Sequence, residues 1–466
     1  MEKIFYPKNI AVVGASTSQG NLSRNIIKNL LDWGFKGKIY PVGPKGEEIF
    51  GLTIRSSVRE VEEDIDFFSI FVPAERIPPL LEECGQKGIK RGLIMTGGFT
   101  EYADERKGLE EEILRICNRY RIKFVGPNCM GIFNTVNDFC VSFAPTPKDK
   151  ILKGTVAIVS QSGNLAQMYS CYLESEHLGV SKMVSVGNKL TVDEVDLIPY
   201  LDKDEQTEII FLYLEGFKRG KQLFEVAKKC KKPIVIHKAN TSEQSRQIGK
   251  SHTAALASNE RVVDAAIRQA GMIRVDDLRE FLDCVKTLTL PKMRGNKVAV
   301  VSSTGGTAVV AADLCDQYGF ELSSLPRELL EEVESRGRAR VIKLTNPIDL
   351  GDIYDSQVTH YIIKKVIELE NVDGVIIILY YLPEFAGWGK EDTLSIIQEI
   401  EELSIRRNKP VLICLSGPPS DISELKKVVS YPIFFSSAEA IKSLAKVRDR
   451  SESFGPQQTS PTSNSI

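Results

Sequence analysis

One of the four histidines in this chain stands in a setting suited to chemistry. His252 falls in the run Gly249-Lys-Ser-His-Thr-Ala-Ala-Leu256, a polar stretch of small residues between a strand expected to end at His237 and a helix expected over 259–270. An imidazole of ordinary pKa, ~6.5, is a competent nucleophile at neutral pH. Gly249, Ser251, Ala254 and Ala255 make a segment that can move and approach another surface closely. The residues alone make His252 only a candidate and fit a structural or merely exposed histidine better. His177 and His360 on helical stretches and His237 in a strand suit structural roles.

Glu215 closes the very apolar run Ile209-Ile-Phe-Leu-Tyr-Leu-Glu-Gly216. A carboxylate at the C-terminal edge of a sheet can orient and charge-balance an imidazole. It also reads as a solvated strand end. Ser160-Gln-Ser-Gly-Asn164 lies between an apolar strand and a helix beginning near Leu165, so the N–H groups of Gly163 and Asn164 can form an anion nest. Gly187-Asn188, before a helix expected over 191–201, offers a second helix end. Two such ends can cradle one phosphoryl group; plain N-capping by Ser162 and Thr191, with no ligand, is the alternative. A serine hydrolase built on Ser162 and His252 lacks the GxSxG elbow.

Nearer the N-terminus, the first strand empties into Gly14-Ala-Ser-Thr-Ser-Gln-Gly20 and then a helix, an arrangement that presents N–H groups to a phosphate. The spacing is not GxGxxG, and the second strand ends in Tyr40-Pro-Val-Gly-Pro-Lys45 with no acidic residue for a ribose, which disfavours NAD. Lys45 and the turns Val72-Pro73-Ala74, Thr96-Gly97-Gly98 and Gly126-Pro127-Asn128-Cys-Met-Gly131 follow strands, where open α/β sheets bind ligands. Together they suit a phosphorylated nucleotide tail, although each alone reads as a tight turn.

These residues require parallel sheets to hold them, and the rest of the chain supplies the pattern. In the first segment, β-rich runs at 10–13, 38–42, 67–72, 91–95 and 123–125 alternate with helical periodicity such as Asn21 to Trp33, ending at a Pro-rich linker over 143–150. This predicts an α/β fold with helices on both faces of a parallel sheet. Similar modules follow, giving expected domains at 1–147, 154–290 and 296–450. Val156-Ala-Ile-Val-Ser-Gln-Ser-Gly163 matches Val298-Ala-Val-Val-Ser-Ser-Thr-Gly305 at five of eight positions, which reads as an internal repeat. Residues 451–466, rich in Ser, Thr, Pro and Gln, read as a disordered tail.

With 60 basic against 62 acidic side chains, no net field invites nucleic acid or an anionic membrane. The nine cysteines form no CxxC pair or metal-ligand spacing, so no metal site is expected. The opening Met-Glu-Lys-Ile-Phe-Tyr-Pro has no signal-peptide stretch and no apolar run is long enough to span a bilayer, so a soluble cytoplasmic protein is expected.

The ordered set Gly14-Ala-Ser16, Gly126-Pro-Asn-Cys-Met-Gly131, Ser160-Gln-Ser-Gly163, Ser185-Val-Gly-Asn188, Tyr213-Leu-Glu-Gly216, Ser251-His-Thr253 and Asn346-Pro-Ile-Asp349 resembles the alpha subunit of ADP-forming acetyl-CoA synthetases, relatives of succinyl-CoA synthetase. The likeness runs from Met1 to about Arg450. It implies a Rossmann-like CoA-binding domain followed by two flavodoxin-like doubly wound domains. It further implies interconversion of acyl-CoA, ADP and phosphate with the acid, ATP and CoA through an acyl phosphate and a phosphohistidine. By that resemblance His252 is the phosphorylated residue and Glu215 the glutamate facing it. Ser162, Gly163, Gly187, Asn188 and Thr253 would hold phosphate, while Gly14, Ala15, Ser16, Lys45, Val72, Pro73, Ala74, Gly97 and Asn128 would hold CoA. The chain has no GxxxxGK[ST] loop, so the resemblance implies a separate ATP-grasp beta subunit, in an alpha2beta2 assembly, that binds ADP or ATP and magnesium. Ala254 stands where relatives usually have glycine, and Gln247-Ile-Gly-Lys250 replaces an alanine-rich approach. The alternative is a CoA or acyl-CoA sensor or scaffold without full turnover.

Overall fold

A computed structural model describes residues 1–44, 46–100, 102, 106–245, 259–336, 345–351, 353, 355–381 and 389–453. His252, Thr253 and Lys45 lie outside them, as does the tail beyond Ser453. The chain forms two compact units, Met1–Asp276 and Asp277–Ile466.

The first unit holds two sheets. In one, β1 (Asn9–Val13), β2 (Lys38–Val42), β5 (Phe67–Ile70), β6 (Arg91–Ile94) and β7 (Lys123–Val125) run parallel in the order β2-β1-β5-β6-β7. A small hairpin, β3 (Glu48–Ile49) and β4 (Leu52–Thr53), follows β2. The helix Leu22–Trp33 starts where Asn21 accepts a hydrogen bond from the Arg24 N–H and stops at Gly34, whose φ of 80° is cheap only for glycine. Ile26, Ile27, Leu30 and Trp33 form its buried stripe.

The other sheet has the order β14-β13-β12-β10-β11-β8-β9. Its parallel part comprises β10 (Lys153–Ser160), β11 (Val180–Ser185), β12 (Ile209–Leu214), β13 (Ile234–Lys238) and β14 (Ile273–Val275). All six residues of β12 are buried, which explains its unbroken apolar sequence: both faces are covered. The antiparallel hairpin β8 (Gly131–Asn134) and β9 (Phe139–Ser142) completes this sheet through β11. The expected first domain, 1–147, therefore includes two strands that belong to the second sheet. The segment after β9 is tied down rather than loose. Asn29 donates to the carbonyls of Ser142 and Ala144 at 2.8 Å each, and the Trp33 indole donates to the Thr146 carbonyl at 2.7 Å.

The second unit holds one sheet, β16-β15-β18-β19-β20, with β17 beside β15. Its strands are β15 (Lys297–Ser302), β16 (Glu321–Leu322), β17 (Ile348–Asp349), β18 (Gly374–Tyr380), β19 (Val411–Ser416) and β20 (Ile433–Phe434), paired in parallel. The helix Leu278–Leu288 packs with the helix Ser437–Ser453 through Arg279 to Glu439, Lys446 to Glu280 and Thr287 to Ser443. The helix Leu278–Leu288, at the end of the expected 154–290 domain, packs within the second compact unit, which begins at Asp277, and the last helix runs into the expected tail as far as Ser453. Among the described residues no helix is long and apolar enough to cross a membrane.

Candidate functional site

In each sheet the chain reverses its direction of winding beside the first strand, and open α/β sheets leave a crevice at that switch point. In the first sheet it lies between β1 and β5. Gly14, with φ at 97°, sits so close to the next turn that a Cβ would stand 2.6 Å from the Phe71 carbonyl oxygen. The N–H groups of Gly14 and Ala15 do not face outward as the sequence suggested: both donate to the Val42 carbonyl, at 2.9 and 3.0 Å. Ala15 and Ala74 are buried in the core, so their methyl groups pack inward. Ser16 is half-buried, and Thr17 beyond it donates its N–H and hydroxyl to Glu47, at 3.2 and 2.9 Å.

The remaining turns of this edge form a chain. The Thr96 hydroxyl donates to the Val72 carbonyl at 2.7 Å, and the Asn128 N–H donates to the Thr96 carbonyl at 2.8 Å. Val72, Pro73, Gly97 and Asn128 therefore share one rim, with Val72, Gly97 and Asn128 half-buried and Pro73 exposed. Cys129 in the same run is buried, and desolvation pushes its thiol well above the usual range, which disqualifies it as a nucleophile.

At Asn128 the two expected sets of site residues meet. Its side-chain amide donates to Asn188 Oδ1 at 3.2 Å, and the Asn188 N–H donates to the Pro127 carbonyl at 2.9 Å. A Cβ on Gly187, whose φ is 52°, would lie 2.2 Å from the Pro127 carbonyl oxygen. One on Gly163 would lie 2.4 Å from the Met130 Cβ. These glycines serve close backbone approach. Gly187-Asn188 is not the start of a helix: the helix runs Glu194–Lys203, capped by Asp193 in a capping box with Asp196. The Thr191 hydroxyl is committed to Phe124, accepting from its N–H at 2.8 Å and donating to its carbonyl at 2.6 Å.

The second switch point lies between β10 and β12, and it gathers Gln161, Ser162, Gly163 and Glu215. Ser162 is the N-cap of the helix Gly163–Ser175, yet its side chain makes no capping hydrogen bond. The first N–H groups of that helix are therefore not closed off by their own cap. Glu215 has its main chain held at both ends: its N–H donates to Gln161 Oε1 at 3.0 Å, and its carbonyl accepts from Lys238 Nζ at 3.1 Å. Its half-exposed carboxylate has no hydrogen-bond or ion-pair partner among the described residues. Burial and the nearby Glu215 charge push the Tyr213 hydroxyl up to about 12.

Charged residues that the sequence reading passed over brace this site. Lys189, buried directly after Asn188, donates to the Gly216 carbonyl at 2.6 Å and pairs with the buried Glu194 at 3.3 Å. Lys218 reaches back to the carbonyls of Asn188 and Lys189, at 2.7 and 3.3 Å. The 187–189 and 215–218 segments are thus cross-tied in both directions. Desolvation raises the Glu194 carboxyl pKa, and Lys189 only partly opposes it. The sole hint in the sequence was position, since both lysines sit within two residues of the candidate turns. His237 lies 2.6 Å, Nδ1 to hydroxyl, from the buried Tyr169, in keeping with a structural role.

Known proteins resemble this chain in sequence and in fold. The family profile described as "CoA binding domain" matches residues 8–135, and that described as "Succinyl-CoA ligase like flavodoxin domain" matches residues 153–288. The alpha subunit of acetate–CoA ligase (ADP-forming) II from Pyrococcus furiosus is 35% identical over 415 residues, covering 88% of this chain and 89% of that protein. Acetate–CoA ligase (ADP-forming) II from Archaeoglobus fulgidus is 32% identical across 96% of this chain, but the chain spans only 66% of that relative's length. Among solved structures, the dinucleotide-forming acetyl-coenzyme A synthetase 1 of Ca. Korarchaeum cryptofilum, in complex with phosphate and ADP, superposes with a TM-score of 0.86 at 29% identity, covering 97% of each chain. By these matches over most of its length, the chain belongs to the family of ADP-forming acetate–CoA ligase alpha subunits.

Proposed function

We propose that the chain is the CoA-binding and phosphoryl-carrying subunit of an ADP-forming acyl-CoA synthetase. Phosphate attacks the thioester carbonyl of an acyl-CoA, the carbon–sulfur bond breaks, and CoA leaves with an acyl phosphate behind. His252 takes the phosphoryl group, releasing the carboxylic acid, and passes it to ADP to form ATP. Such transfers need alignment and charge neutralisation more than new covalent chemistry. The observation that carries this reading is the convergence of the uncapped helix end at Gly163, the Asn188 turn and Glu215, whose carboxylate has no partner among the described residues, adjoining the Asn128 rim.

Glu215 would face His252 and stabilise its charged form, while Gly163, Ser162, Asn188, Gly187 and Thr253 would hold the phosphoryl group. Ser16, Lys45, Val72, Pro73, Gly97 and Asn128 would hold CoA, with Gly14, Ala15 and Ala74 shaping the turns behind them. An ATP-grasp beta subunit in an alpha2beta2 assembly would supply the nucleotide site and magnesium, and a small organic acid or its CoA ester would be the substrate. Nine free cysteines suit a reducing cytoplasm. The names of the relatives do not favour the sensor reading.

Incubation of the complex with the partner subunit, radiolabelled ATP and magnesium is expected to yield an acid-labile, base-stable phosphoprotein. His252→Ala abolishes the label, and equal labelling of that variant would sink the mechanism. Glu215→Gln slows labelling by about tenfold or more, the scale of one lost charge-assisted contact; unchanged kinetics would return Glu215 to an ordinary strand end.

A further inference from the structure

Gln161 is 8% exposed and immediately precedes the N-cap of the helix Gly163–Ser175. Its backbone N–H continues the sheet by donating to the Tyr213 carbonyl at 2.9 Å. Its side-chain Oε1 accepts two backbone N–H groups at the end of β12, Glu215 at 3.0 Å and Gly216 at 3.4 Å. Two donors converging on one atom settle which way the amide faces, because the flipped amide would set Nε2–H against N–H. Nε2 is therefore turned away from the strand end. It carries two donors, makes no hydrogen bond to any described residue, and is not sealed in the core. A nearly buried amide with its oxygen spent and its NH2 unspent, beside an uncapped helix end, is a donor awaiting an acceptor.

The repeat in the second unit supports the same reading. Ser303 stands where Gln161 does, its N–H donating to the Ile378 carbonyl at 2.9 Å. There the strand end that corresponds to Glu215 is Tyr380, and the helix end is closed by its own cap, Thr304 accepting from the Thr307 N–H. The long amide occurs in the copy whose helix end is open and absent from the copy whose helix end is closed.

We infer that Gln161 is a further phosphoryl-binding residue of this site, its Nε2 donating to the transferring phosphoryl oxygens while its Oε1 fixes the strand end that carries Glu215. This rests on the phosphoryl-transfer function proposed above. The chemistry is hydrogen bonding alone: no bond to Gln161 forms or breaks.

Gln161→Glu keeps an oxygen for the two backbone donors but removes the NH2 and adds a negative charge. Gln161→Met removes both. In the complex with the partner subunit, Gln161→Glu is expected to lower the rate of phosphoprotein formation at least tenfold and to raise the half-saturating concentration of inorganic phosphate severalfold, with CoA binding and melting temperature unchanged. Gln161→Met lowers the labelling rate and the melting temperature together. If Gln161→Glu labels and saturates with phosphate like the wild type while Gln161→Met is impaired, Gln161 is only a strut and the inference fails alone. If the wild-type complex takes no label, the phosphoryl-transfer reading fails and carries this inference with it.

Discussion

The turns 160–163 and 302–305 are built on one scaffold and finished differently. In both, a serine hydroxyl at the strand end donates to the carbonyl two residues on, Ser160 to Ser162 at 2.6 Å and Ser302 to Thr304 at 2.9 Å. Both also route the next N–H to the neighbouring strand. The difference lies in what fills the space ahead of the helix. In the second unit it is a side chain: Asp349 reaches so near that a Cβ on Gly305 would stand 2.6 Å from its Oδ2, and the same carboxylate accepts from the Gly351 N–H at 2.9 Å. A carboxylate at a helix N-terminus is the anion that end favours, supplied from within the chain. In the first unit the atoms nearest a Cβ on Gly163 are the Met130 Cβ and N and the Ser185 Oγ, with no carboxylate among them. The same fold element is thus self-satisfied in one copy and left able to accept an external anion in the other.

The largest effect on that contrast is expected from Lys189, which holds the 187–189 segment in place. Lys189→Met leaves Glu194, 0% exposed and with Oε2 already lacking a hydrogen bond, without the lysine it pairs with. Breaking a buried pair in this way costs about 3–5 kcal/mol. The pH dependence follows from the raised Glu194 pKa. The native state binds more protons than the unfolded one between the ordinary glutamate pKa, 4.5, and the raised value, so this carboxyl weakens the fold as pH rises through that window. Thermal unfolding is therefore expected to show a larger loss for Lys189→Met at pH 8 than at pH 5. A loss of equal size at both pH values would mean that Glu194 is not what Lys189 compensates.

Most of the scaffold was legible in the sequence, because β-branched apolar runs fully buried in parallel sheets admit few other readings; β2, β7 and β12 fall where the pattern put them. What escaped was set by partners distant in the chain. The 131–142 hairpin carries no local mark of joining β11, and β8 and β9 look like any short strands. The helix after Asn188 begins at Glu194 because Asp193 offers a better cap and Thr191 is drawn to Phe124, a contact 67 residues away. Lys189 and Lys218 look like solvated turn residues until the carbonyls they reach are known. Glu215 and Gly163 were legible as candidates, whereas the role of Gln161, inside a motif already singled out, depended on which N–H groups its oxygen accepts.

A smaller effect tests the two turns directly through their glycines. Gly163→Ala places a methyl group 2.4 Å from the Met130 Cβ, an atom fixed by the main chain, and the Met130 N–H is itself bonded to Ser185 Oγ at 3.1 Å. Neither side can move without displacing the 127–130 segment, so overpacking should cost about 1–3 kcal/mol. Gly305→Ala meets only the far end of Asp349, which can rotate away at the expense of its bond to Gly351. Its cost should be about 1 kcal/mol or less, the typical net value of one hydrogen bond. Chemical denaturation of the two variants is expected to separate them in that order, with Gly163→Ala also displacing the Asn128 to Asn188 contact and weakening CoA-dependent labelling. Equal costs would show that the backbone wall ahead of the first helix yields as easily as a side chain, and the open helix end could then be closed by a small movement of the 127–130 turn.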